Sequence, residues 1–144
     1  MSEESTRLGR SLQGSSYANA VEMRNKTFAR QLAWTQGGFY LLTGIWPILH
    51  MKSFERVSGP KEDHWLVKTV GALLAVTGGA LLRSARSGKV PKDLQALAAA
   101  QALALSAVDV IYSTKGRISK IYLLDAATEL LLIRGWLACQ ARRV

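Results

Sequence analysis

The chain contains a single cysteine, Cys139, so no disulfide can form within it. It has two histidines, His50 and His64, and no His or Cys pair at a metal-ligand spacing. A nucleophile elbow, a glycine-rich phosphate loop and a redox cysteine pair are all missing. Together these absences argue against an enzyme and call for no cofactor and no metal. Only three prolines interrupt 144 residues. Acids are scarce beside bases, ten against nineteen, giving a net charge of +9. That balance could suit nucleic acid, but no basic stripe interleaved with aromatics is present. The bases instead flank apolar segments, which points to phospholipid head groups.

Charge itself is missing from long stretches. Gln31 to Met51 and Thr69 to Leu82 carry no formal charge. A soluble helix needs a charged face, so these read as membrane segments. Four segments are expected to cross, at about 31–51, 61–83, 93–113 and 119–139. Trp34, Trp46, Trp65 and Trp136 fall toward segment ends, as an interfacial belt does. The expected fold is all-α: an integral membrane four-helix bundle of up-down topology over residues 31–144. Residues 1–30 lack an apolar core and are expected to be a polar tail, disordered or interfacial, not a secretory signal.

Loop charge sets the expected orientation. With the N-terminus inside, the inner side holds Arg7, Arg10, Arg24, Lys26, Arg30, Arg83, Arg86, Lys89, Lys92, Arg134, Arg142 and Arg143. These twelve bases outnumber the seven on the other side, which favours both termini in the cytoplasm of a plasma (inner) membrane protein.

Local signals refine the segments. Pro47 is expected to kink the first helix and turn His50 toward the bundle. In "SGPKEDHW", Ser58 or Gly59 reads as a cap for the second, with Pro60 at its first position. Gly71, Ala75 and Gly79 form a small-residue ridge for close helix approach. Phe54 and Val57, set between charges, suit a short interfacial segment.

The unusual chemistry lies in "IYLLDAATELLLIRGW". Tyr122, Asp125, Glu129, Ile133 and Trp136 share one helical stripe, while Leu123, Leu124, Ala127, Leu130 and Leu131 cover the other side. Gln95, Ala98, Ala102, Ser106, Asp109 and Ser113 form a matching face on the third segment, and Tyr40, Thr43, Pro47 and His50 one on the first. The expected site is a pocket in the outer half of the membrane that gathers Asp109, Asp125, Glu129, Tyr122, Tyr40 and His50. Three ionised carboxylates there would repel, so one holds a proton or a cation sits among them. A metal held by His50, Asp109 and Asp125 lacks any supporting ligand spacing.

Two readings of function compete. In the first, the pocket binds a lipid or a small amphipathic or cationic ligand. In the second, the chain is an accessory or assembly subunit, with a membrane protein partner or a second copy. A cation-coupled carrier is a weaker third, since no inverted repeat is visible. The acids could equally hold the bundle together through interhelical hydrogen bonds.

The stretches "GIWPILHMKSFERVSGPKEDHWLVKTVG" and "AVDVIYSTKGRISKIYLLDAATEL" resemble a group of small bacterial membrane proteins of four helices without an assigned function. The resemblance implies a membrane helix bundle and a bacterial origin. It supplies no site residues.

Overall fold

In the computed structural model, which describes residues 3–141 and side chains from Gln13 onward, every regular element is helical. Among the described residues there are five helices, not four: α1 (Glu3–Leu49), α2 (Met51–Ser58), α3 (His64–Arg86), α4 (Lys92–Thr114) and α5 (Tyr122–Ala141). This overturns the four-helix up-down reading. Of the bases used to orient the chain, the side chains of Arg7 and Arg10 and the whole of Arg142 and Arg143 lie outside the described residues.

The extra helix comes from the first connection. Membrane-segment logic divides "LHMKSFERVSGP" into a helix end and a loop. The chain instead breaks at His50, in an extended conformation (φ −146°, ψ 72°), and restarts at Met51. His50 caps the new helix, its Nδ1 accepting from the Ser53 amide at 3.2 Å. Gly59 closes α2, not α3. Its φ of +86° favours glycine, and its N–H donates to the Glu55 carbonyl at 2.8 Å. Pro60 thus lies between helices, and α3 starts at His64 after Asp63.

Pro47 does not turn His50 inward. Helix α1 continues past it to Leu49, and His50 is exposed. Pro47 is buried and its ring packs toward Gly71 of α3. That contact holds the last turn in place although proline contributes no donor.

Residues 3–30 of the segment expected as a tail are the beginning of α1. Nothing between Glu3 and Trp46 forbids a helix, and Asn25, Ala29 and Ala33 are buried against the bundle. A packed turn is a nucleus from which helix extends at little further cost. The exposed Glu22–Lys26 pair at 2.8 Å adds a few tenths of a kcal/mol at most.

Helix α1 packs along α3, α4 packs along α5, and the two hairpins meet across α1 and α5. The first hairpin is close because glycines face glycines. Gly44 meets Gly71, and Gly37 meets Gly78, backbone against backbone. The ridge on α3 is therefore Gly71 and Gly78, seven residues apart. Gly79, expected in it, faces open space.

The hairpins are tied through Gln36, which is fully buried. Its Nε2 donates to the Ala98 carbonyl of α4 at 2.9 Å, and its Oε1 accepts from the Trp136 indole of α5 at 2.6 Å. Trp136 is thus a core residue, not part of an interfacial belt. Burial of a large ring with its N–H satisfied explains the placement.

Among the described residues two helices, α3 and α4, are by length and composition apolar enough to cross a membrane. Their apolar windows are only 17% and 28% buried within the protein. A core helix of a soluble domain would be mostly buried. Leu123, Leu124, Leu130 and Leu131 of α5 are likewise exposed. Exposed apolar area on this scale is more than a monomeric soluble domain ordinarily shows.

Candidate functional site

Helix α4 presents Gln95, Ala98, Ala102, Ser106, Asp109 and Ser113 inward, and these six are its buried residues. Alanines on that face let α5 come close. The polar members then have to find partners in the interior or remain unpaired. On α5 the buried line is Ala126, Glu129, Leu132, Trp136 and Cys139, with Tyr122 and Asp125 half-buried beside it.

Between α1, α3, α4 and α5, under α2, lies a cavity of about 370 Å³. Five of the six residues expected in the site line it: Tyr40, Asp109, Tyr122, Asp125 and Glu129. His50 does not. It lies outside the cavity lining because its ring is used as the cap of α2. Trp46, Pro47, Phe54 and Val57 also line the cavity, and the walls are mainly apolar. Phe54 and Val57 come from α2, so the short helix forms part of the enclosure. Their setting between charges marked an interfacial segment, but not which side it would cover.

Inside the cavity the polar groups divide into satisfied and unsatisfied. The Tyr40 hydroxyl donates to Glu129 Oε2 at 3.0 Å. Gln36 lies against the same hydroxyl, joining the site to the interhelical tie. Asp125 is within hydrogen-bonding reach of Asp109. Two oxygens remain: Asp109 Oδ2 and Glu129 Oε1 are buried without a hydrogen-bond partner among the described residues. Asp109 is 5% exposed and Glu129 1%, so water does not reach them freely. Leaving such acceptors unmade costs about 1–3 kcal/mol each, more when charged. Among the described residues, no group of three His, Cys, Asp or Glu is placed to hold a metal ion.

The connection from α2 to α3 is held from outside the cavity. Glu55 accepts from the Lys61 amide at 3.0 Å and from His64 Nε2 at 2.7 Å. Lys61 Nζ donates to the Ser58 carbonyl at 2.8 Å and stands 5.1 Å over the Tyr122 ring. The Lys61 amide, and then His64, hold the Glu55 carboxyl below the ordinary carboxylate range. Burial pushes the Lys61 ammonium below its ordinary value, with Glu55 opposing.

The Glu55 tie gives a first testable outcome. In the unfolded chain the carboxyl titrates at its ordinary, higher value. Its contribution is therefore complete above that range and disappears as pH falls through the lowered folded value. Hydrogen exchange of the Lys61 amide should stay slow at pH 7 and at pH 5 in the wild type, and be fast at both in Glu55→Ala. Equal protection in the two proteins would show that Glu55 does not hold the connection.

Comparison with family models, with curated proteins and with solved structures gives no match for this chain.

Proposed function

We propose that this chain is a multi-pass plasma membrane protein that binds a small amphipathic cation in the cavity beneath α2. The observation that carries the reading is the pair of buried oxygens without a partner among the described residues, on Asp109 and Glu129, two residues that line a cavity with apolar walls. An apolar body satisfies the walls, and a positive head satisfies the acids. The membrane setting rests on α3 and α4, whose apolar windows are mostly unburied within the protein. Lipid covers such surface without requiring a protein partner. The acids are costly in that setting, as ionisable groups in a bilayer are, which favours a binding role over simple packing.

The test uses the full chain in nanodiscs of zwitterionic lipid. Octylammonium and octyltrimethylammonium are the probes, followed by titration calorimetry. At least one should bind saturably to the wild type. Leu105→Trp places a ring in the cavity wall and should abolish that binding while the protein remains folded. No saturable binding of either cation, or binding unaffected by the filled cavity, would overturn the reading.

A further inference from the structure

Resting on that reading, we infer that the cavity selects a cation that donates hydrogen bonds, a primary alkylammonium, over a quaternary ammonium of equal chain length. A positive charge alone does not determine how it is held. A quaternary ammonium has no N–H, and its methyl groups keep the nitrogen away from oxygen. It is held best by the open faces of aromatic rings. A primary ammonium has three N–H donors and needs acceptors.

The lining offers acceptors without a partner among the described residues, while its rings already make contacts of their own. Glu129 Oε2 is already taken by Tyr40, which leaves Oε1 for an incoming donor. Asp109 Oδ2 is the second acceptor without a partner among the described residues, on the facing helix. On this inference one primary ammonium group, held between α4 and α5, donates to both. Most of the aromatic rings of the lining meet one another or a cation: Phe39 and Tyr40 stand 6.1 Å apart at 44°. Trp46 and Phe54 meet edge to face, at 5.6 Å and 89°, and the Trp46 indole donates to Ser53 at 2.7 Å. The Tyr122 ring already carries the Lys61 ammonium. Tyr40 is fully buried against its neighbours. These contacts compete with a quaternary head for the same rings.

A quaternary head would leave both carboxylate oxygens unmade. A primary head removes that penalty, which is why the difference should be large for two ligands of the same charge.

The experiment compares octylammonium and octyltrimethylammonium on the full chain in zwitterionic nanodiscs. The expected preference for octylammonium is at least about tenfold in Kd, or roughly 1.4 kcal/mol. Asp109→Asn should reduce that preference, and Glu129→Gln provides the same test on the other helix should the first variant fail to fold. Equal binding of the two probes, or tighter binding of the quaternary one, overturns the inference while leaving a cation site in place. A preference unchanged in the folded variants also overturns it. Absence of binding by both probes overturns the cation reading and the inference with it.

Discussion

Gly44→Ala should cost the protein about 3 kcal/mol or more, enough to remove much of the stability that a domain of ordinary size possesses. A Cβ at this position runs into the Gly71 carbonyl oxygen and stands 2.8 Å from the Ala75 amide nitrogen. Both are backbone atoms of α3 and cannot rotate aside. Relief requires the two helices to separate, which also loosens the Gly37–Gly78 contact seven residues away. Gly71→Ala should do the same from the other side, since its Cβ would meet the Gly44 carbonyl. Gly79→Ala is the control. It has nothing within 4 Å of the added carbon, and alanine is the better helix former by about 0.5–1 kcal/mol. Thermal unfolding in one detergent, followed by tryptophan fluorescence, should therefore rank Gly79→Ala at or above wild type and Gly44→Ala far below. Coincident melting of the two variants would refute the close helix contact.

That contrast also shows where sequence reading works and where it fails. Spacing alone selects Gly71, Ala75 and Gly79 equally well with Gly71 and Gly78, because the partner helix is not specified. The partner glycines, Gly37 and Gly44, share the seven-residue interval and decide the matter. The α4 face was legible in full because its polar residues recur at helical spacing in a background of alanine and leucine. The α5 face was legible in its exposed leucines and, on the inner side, in Glu129 and Trp136. Its inner line is rotated toward Ala126, Leu132 and Cys139, which carry no polar signal.

The first connection was misread for a specific reason. "SGP" fits a helix start by residue type, yet the same Gly59 fits a helix end, and local chemistry does not choose between them. What chooses is the Glu55 carbonyl, four residues back, whose acceptor role exists only once α2 has formed. His50 follows from this. A histidine on the inward spacing of α1 reads as a site residue until the helix ends one residue before it. Residues 3–30 lack an apolar stripe long enough to announce a helix. Their helix is carried by the packing of Asn25, Ala29 and Ala33 further along. Gln36 was missed because a glutamine in an uncharged segment, with Gln31 five residues before it, gives no hint that it will join three helices.

Glu129→Gln should leave the protein at least as stable as wild type while weakening octylammonium binding by about tenfold or more. The amide oxygen can still accept the Tyr40 hydroxyl, which now reaches Glu129 Oε2 at 3.0 Å. What disappears is a buried acid with one unpartnered oxygen, a group that costs a few kcal/mol at mid-membrane depth on insertion scales. Glu129→Leu separates the charge from the hydrogen bond. It removes the acid too, but it leaves the Tyr40 hydroxyl buried without its acceptor, a loss of about 1–3 kcal/mol. Tyr40→Phe alone takes away the donor and leaves Glu129 with both oxygens unmade, the worse of the two single changes. Combining Tyr40→Phe with Glu129→Leu removes both partners, and such a pair is close to neutral when the shape is kept. Thermal unfolding of the four proteins therefore yields a coupling energy of about 1 kcal/mol or more between the two positions. A destabilised Glu129→Gln that still binds octylammonium as the wild type does would make Glu129 a structural hydrogen-bonding group and end its role in binding. A stable Glu129→Gln that has lost binding, beside a destabilised Glu129→Leu, is the result required if the carboxyl is kept for a ligand and its hydrogen bond for the fold.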